Sequence, residues 1–330
     1  MSSSSINNYT SKDVIDYCLE QEFKKNNIKY AKNLIDTIGL RDLEVLIEVK
    51  NKSIKILQAK ISQGNEWRVE FAVNLLKYIL DRENLDLNCK FIINFNDGVP
   101  LEEKFTRFCW SRHRDSFHIC IPDSGCYQLI FLNKIGAILL KDIPFENKIN
   151  SAIFRGSDTG KIRDNLLNQR MEFCIQNKDN STINAKITGF ARFNKENLLQ
   201  YGVNLSDISS NIASSEEQLK YKYIIYIHGN TVSWERLIWT LASNSIIIQP
   251  RPNDKEDDYA WYQSFLNKKL IVPTFPQNHF GECFLKYQKL GKDLEIKENQ
   301  KYFSSIILRP EVQIEYYKQV LEKYNILYNQ

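Results

Sequence analysis

The sequence predicts an α/β protein of about two domains, with mostly parallel sheets. Two observations carry that expectation. Apolar runs of strand length alternate with amphipathic stretches of helical spacing along the chain. The chain has 330 residues, about twice a typical domain of roughly 150 residues, and is long enough to bury a sizeable core in each half.

The elements follow in order. Residues 1–8 are a polar tail. Ser11 is placed as the N-cap of a first helix, and apolar residues recur at helical spacing to about Asp36. Leu43–Val49 and Ser53–Ile61 form a paired strand ladder, and Glu66–Asp81 is an amphipathic helix carrying Trp67, Phe71, Leu75, Ile79 and Leu80. Cys89–Phe95 is a buried strand ending at Asn96-Asp97-Gly98. Residues 105–150 are irregular and aromatic. Ile153–Ser157 is a strand end, with a helix from about Lys161; Ala185–Phe193 and Tyr221–Ile227 are strands. Gly229-Asn230 turns into a helix at Trp234–Ala242, followed by a strand at Ser245–Gln249, a helix at Tyr259–Asn267, a short strand at Leu270–Val272 and a last amphipathic helix at Pro310–Tyr328. The polar stretch Phe145–Ser151 sets the boundary, giving an N-terminal domain over 1–150, a second over 151–305 and a terminal helix over 306–330.

Composition narrows the function. Hydrophobic residues make up 43% and charged residues 25%, ordinary for a soluble globular chain and unlike a disordered, collagenous or coiled-coil one. Only 12 residues are glycine, which disfavours a protein built on repeated Gly-rich loops. A net charge of +4 does not call for nucleic acid, which usually meets a strongly basic domain. The seven cysteines (18, 89, 109, 120, 126, 174, 283) form no Cys-x-x-Cys pair, and the four histidines (113, 118, 228, 279) form no zinc signature. No basic start precedes an apolar run, and no window reaches the roughly 20 apolar residues of a membrane span. The expectation is a reduced, cytoplasmic protein without a transmembrane segment, with peripheral association at a membrane left open.

Three strand ends can carry chemistry, since ligands of open α/β sheets collect at the carboxyl ends of strands. Ile92–Asp97 sets one carboxylate just past a buried strand, where it can act as a general base; an Asp-Gly turn bonded to its own backbone is the alternative. Phe154-Arg-Gly-Ser-Asp-Thr-Gly-Lys-Ile-Arg163 offers small residues, the hydroxyls of Ser157 and Thr159, and Arg155 and Arg163, a set suited to phosphate oxygens near a helix N-terminus. It matches neither a Walker loop nor Gly-x-Gly-x-x-Gly, and an ordinary loop with a solvated arginine is its alternative. His228-Gly-Asn-Thr-Val-Ser233-Trp234-Glu-Arg236 repeats the theme with an aromatic that can stack on a base; a core tryptophan beside Trp239 and a hydrogen-bonded core histidine are the alternatives. The run Arg107-Phe-Cys-Trp-Ser-Arg112-His-Arg114 reads either as a binder of a phosphate-rich polymer or as a solvated loop with aromatic anchors.

The block Tyr221–Ile248, with Gly-Asn-Thr-x-Ser-Trp-x-Arg and Ser-Asn-Ser, resembles the hallmark of glycosyltransferase family 90, and most of all its lipopolysaccharide-type members. Phe154-Arg-Gly-Ser-x-Thr with Arg163, the block Ile92–Asp97 with Pro100, and Trp261-Tyr262 ahead of Ile271-Val272-Pro273 resemble three further family blocks, in family order. Where many relatives have Asp before Gly-Asn, this chain has His228. The resemblance implies a GT-B architecture of two Rossmann-like domains facing a cleft, with a C-terminal helix crossing back. It implies an inverting transfer of glucose or xylose from a UDP-sugar, without metal or other cofactor. In that picture Asp97 is the general base, and Arg155, Gly156, Ser157, Thr159, Arg163, Gly229, Asn230, Ser233, Trp234 and Arg236 hold the donor. Partners would be the UDP-sugar and a hydroxyl of a glycan, lipid-linked glycan or protein, and not nucleic acid. The sequence shows none of the signal peptide, disulfides and retention tail expected of the endoplasmic-reticulum members, so the expectation is a cytoplasmic acceptor, a lipid-linked or lipopolysaccharide-type glycan or an intracellular protein, in keeping with polysaccharide biosynthesis. A non-catalytic sugar-nucleotide or glycan-binding protein on the same fold is the rival reading. A strict Asp-x-Asp metal clamp is absent, and the acidic run Asp254–Asp258 reads as a loop.

Overall fold

The computed structural model describes residues 9–24, 28–96, 105–113, 116–123, 129–160, 167–191, 198, 200–230, 232, 234–251, 258–268 and 271–330. The described chain forms two compact units, each with its own five-stranded sheet.

One unit comprises Tyr9–Gln128, Asp257–Phe265 and Ile306–Gln330. Its strands are β1 (Glu44–Lys50), β2 (Ser53–Lys60), β3 (Asn88–Asn94), β4 (Phe108–Cys109) and β6 (Ile119–Cys120), in the order β2-β1-β3-β4-β6. The expectation of mostly parallel sheets fails here: β2, β1 and β3 are antiparallel, and only β3-β4-β6 run parallel. The reason is the turn Asn51-Lys52, with φ of 50° and 59°, the doubly left-handed pair of a tight hairpin. A short antiparallel ribbon joins β5 (Arg112–His113) to β11 (Asp258–Tyr259), so three short strand pieces, and further along the chain a helix at Leu129–Leu139, occupy part of the stretch expected to be irregular. Helix α1 (Ser11–Phe23) is capped by Thr10 rather than Ser11, in a box closed by Asp13. Helices α2 (Ile28–Leu34) and α3 (Glu66–Arg82) follow. The long last helix (Pro310–Asn329) belongs to this unit: Tyr324 donates to the carbonyl of Lys90 at 3.0 Å, Tyr316 donates to the carbonyl of Cys120 at 2.9 Å, and Trp261 stacks on Tyr316 with centroids 4.2 Å apart. Trp261 and Tyr262 are therefore core residues.

The other unit comprises Leu129–Glu256 and Leu266–Ser305. Its sheet is all parallel: β7 (Ile149–Ser157), β8 (Ile183–Gly189), β9 (Tyr221–Ile225), β10 (Ile246–Arg251) and β12 (Thr274–Pro276), in the order β12-β10-β9-β7-β8. Strand β8 starts two residues earlier than expected, and β12 follows Pro273 rather than preceding it. Ala152, Phe154, Ile183, Ala185, Ile187, Tyr223, Ile225, Ile246 and Ile248 alternate along their strands and share one core with Met171, Phe173, Phe280 and Phe284. Ile153, Ile224 and Ile247, of opposite parity, are buried too, so these central strands are near-continuous apolar runs with both faces covered. No helix of the described residues is long and apolar enough to cross a membrane.

Candidate functional site

Taken in chain order within its unit, the parallel sheet has the strand order second-first-third-fourth-fifth. The chain leaves β7 toward one edge of the sheet and later returns to fill the other side from β9 onward. The switch point of such a sheet lies between its first and third strands, at their carboxyl ends. Those ends are Ser157–Gly160 after β7 and Ile227–Asn230 after β9, two of the three strand ends singled out by the sequence.

The two loops touch. The amide of Gly160 donates to Oδ1 of Asn230 at 3.1 Å. A Cβ on Gly229 would lie 2.9 Å from Thr159 Oγ1 and 3.0 Å from Arg170 Nη2, so only glycine permits this approach. Gly160 has φ of +128°, and a Cβ there would lie 3.2 Å from the Gly229 carbonyl oxygen. Asp158 is fully buried; its backbone amide continues the ladder to Gly189, and its Oδ1 accepts from the amide of Ala191 at 2.5 Å. Asn168 accepts from the amide of Met171 at 3.0 Å, capping helix α5 (Gln169–Gln176), and its amide donates to the carbonyl of Asp158. The helix expected from about Lys161 thus is described only from Gln169, with its N-terminus closed by its own cap.

The guanidinium of Arg170 sits between the loops. Its Nη1 donates to the Ser157 carbonyl at 3.1 Å and to Thr159 Oγ1 at 2.9 Å. Its Nε donates to the His228 carbonyl at 2.9 Å, and its Nη2 to the Ile227 carbonyl at 3.0 Å. Burial, then the like charge of Arg236, pushes Arg170 down to about 10. Both guanidiniums lie against the ring of Phe154, at 5.9 Å for Arg170 and 5.7 Å for Arg236. Burial and the nearby Arg170 likewise push His228 down to about 4, which keeps its imidazole neutral at physiological pH; its Nε2 lies 3.4 Å from Gln249 Nε2. Two like charges held close favour an anion and raise the energy of a further cation.

Of the residues expected on the donor, Gly156, Ser157, Thr159, Gly229, Asn230 and Arg236 gather around this junction. Arg155 does not. Its guanidinium turns back along the sheet, donating to the Phe154 carbonyl at 2.8 Å, the Asn184 carbonyl at 2.7 Å and Asn184 Oδ1 at 2.9 Å. Burial lowers its pKa, and its attraction to Tyr221, at the start of β9, opposes that. Arg163, Ser233 and Asp97 lie outside the described residues, as does the side chain of Trp234, whose backbone opens helix α8 (Trp234–Ala242). Trp239 on that helix is core. The described residues include no group of three or more His, Cys, Asp or Glu placed to hold a metal; of the run 254–258, only Asp258 is described.

The sequence reading missed Arg170. Its signal was available: on α5 it shares the buried face with Met171, Phe173 and Cys174, and an arginine on an apolar helical stripe needs a reason to be there.

The strand end that leads to Asp97 is firmly held. Phe95 donates its amide to the Leu43 carbonyl at 2.9 Å, and its own carbonyl accepts from Arg68 at 2.6 Å. Buried Asn94 donates to Glu44 Oε1 at 2.7 Å and accepts from the amide of Asn96 at 2.9 Å. The basic–aromatic run is neither a polymer-binding face nor a solvated loop. Arg107 meets Glu44 at 2.7 Å with both side chains buried, and Arg112 meets both carboxylate oxygens of buried Glu22, at 3.0 and 3.2 Å. Those charges cannot line an open phosphate-binding surface; Arg114 lies outside the described residues.

No curated protein matches this chain. The profile of Glycosyl transferase family 90 matches residues 108–329, a span that holds both switch-point loops and begins after Asp97. That span is well over half of the sequence, and the chain belongs to glycosyltransferase family 90.

Proposed function

We propose that the protein is an inverting, metal-independent glycosyltransferase of the GT-B type, moving glucose or xylose from a UDP-sugar to a hydroxyl of a glycan, lipopolysaccharide-type or protein acceptor. What supports the donor half of this reading is the meeting of two Gly- and hydroxyl-bearing loops at the switch point, with Arg170 and Arg236 beneath them. A diphosphate is the ligand such a place suits. Backbone amides and hydroxyls donate to its oxygens, and buried guanidiniums stabilise the charge that grows on it as the sugar departs. Arg236 and Arg163 are the diphosphate contacts in this proposal, Ser157, Thr159 and Ser233 donate hydroxyl hydrogens, and Trp234 stacks on the base. Arg155 stays with Asn184 as a sheet staple.

In the reaction proposed, the Asp97 carboxylate takes the acceptor hydroxyl proton while that oxygen attacks the anomeric carbon. The bond to UDP breaks on the opposite face, which inverts the centre. The family resemblance and the pinned strand end at Asn94–Asn96 support this role for Asp97. Replacing Asp97 by Asn is expected to lower transfer by about 10²–10⁴-fold, the range of a lost general base, with UDP affinity nearly unchanged. A UDP-release assay paired with a binding titration checks both, and full activity of Asp97→Asn would sink the assignment.

A further inference from the structure

We propose that Arg170 is the positioning residue of this site: it clamps the β7 and β9 loops together and fixes the direction in which both present hydrogen to a nucleoside diphosphate. The proposal rests on the donor reading above. Arginine has N–H donors and no acceptor, and here they are turned to Ser157, Thr159, Ile227 and His228. Two consequences follow from covalent geometry. The peptide bonds are trans and planar, with no cis peptide among the described residues. A carbonyl drawn to Arg170 therefore sends the N–H of the same peptide to the opposite side. Holding the carbonyls of Ile227 and His228 turns the amides of His228 and Gly229 away from the guanidinium. Thr159 Oγ1 is already an acceptor, at 2.9 Å from Nη1, so its own hydrogen is left to donate elsewhere.

The clamp is specific to arginine. Its oxygens come from two loops about 70 residues apart in sequence, and a planar fork reaches both at once, which a lysine ammonium on a flexible stem does not. Gly229 is the counterpart of the clamp: its missing Cβ is the space in which Thr159 Oγ1 and Arg170 Nη2 sit. Arg170 acts through the loops and does not itself have to touch the nucleotide.

The test uses the full chain, with UDP as the probe in calorimetric titrations and amide hydrogen exchange of the apo protein as a second readout. Arg170→Lys is expected to weaken UDP binding at least about tenfold and to speed exchange in 157–160 and 227–230 together. Thr159→Val is expected to weaken UDP several-fold alone and to add nothing in the Arg170→Lys background, since coupled residues are not additive. Loosened loops with UDP affinity within about twofold of wild type, or losses that multiply, would overturn the positioning role. Wild-type protein that binds no UDP would overturn the donor reading instead, and this proposal with it. Should Arg170→Lys not fold, Thr159→Ser is expected to bind like wild type and Thr159→Val several-fold more weakly; equal affinities would refute the oriented hydroxyl.

Discussion

Two buried arginines of this protein are shifted in opposite directions. In the mixed-sheet unit Arg112 loses water, which alone would lower its pKa, yet Glu22 more than offsets this and holds it above the ordinary arginine range. In the parallel-sheet unit burial lowers Arg170 to about 10, and the neighbouring Arg236 adds to the fall. The first charge is settled by a carboxylate that also accepts from the amide of Cys120 at 2.7 Å. The second is held by carbonyls and a hydroxyl beside a like charge. A junction that disfavours a cation favours an anion, and that is the contrast on which the proposed donor site rests.

Breaking the settled pair gives the largest stability effect. Glu22→Gln leaves Arg112 without its counter-charge and is expected to lower stability by roughly 3–5 kcal/mol, read by denaturant unfolding. Its UDP affinity, measured on folded protein, is expected to stay at the wild-type level; an unstable protein with selectively lost UDP binding would blur the comparison. A second test uses pH. The folded state holds His228 at about 4, whereas an unfolded chain protonates near the ordinary value of 6.5. Between those values the unfolded state binds more protons, so this group's contribution is fully present above about pH 6.5 and lost as pH falls toward 4, by up to about 3 kcal/mol. His228→Gln is expected to flatten that part of the stability profile, and an unchanged slope would contradict the low value. Smaller still is Gly229→Ala, whose added methyl crowds Thr159 and Arg170. It is expected to cost about 1–3 kcal/mol by overpacking and to weaken UDP, as thermal unfolding with and without nucleotide would register.

What was legible in the sequence follows from range. The 43–61 ladder, helix Glu66–Arg82 and the strand Tyr221–Ile225 are local patterns with one period and one apolar set, and each forms near its expected bounds. The helices Phe280–Gln288 and Asp293–Ile307 are among those that carry no expectation, because exposed Leu285, Leu290 and Leu294 blur their apolar stripes. The two touching loops are legible as Gly- and hydroxyl-bearing strand ends. The partners of Arg155 and Arg170 are not. Arg155 follows the strand's facing back to Asn184, and Arg170 finds carbonyls far along the chain, a pairing that only the order of strands in the sheet creates. The same holds for Arg107 and Arg112, whose carboxylate partners lie in distant segments.

The central claim is that the switch-point junction is a metal-independent site for a UDP-sugar. The most direct measurement is a thermal-shift panel of UDP, UDP-glucose, UDP-xylose, UDP-galactose and GDP-mannose, with and without EDTA, since a ligand of the folded state raises its apparent stability by mass action. A rise specific to the uridine nucleotides is expected, one that survives EDTA and is reduced in Arg236→Met. No rise at several-millimolar nucleotide, or one abolished by EDTA, would contradict the claim.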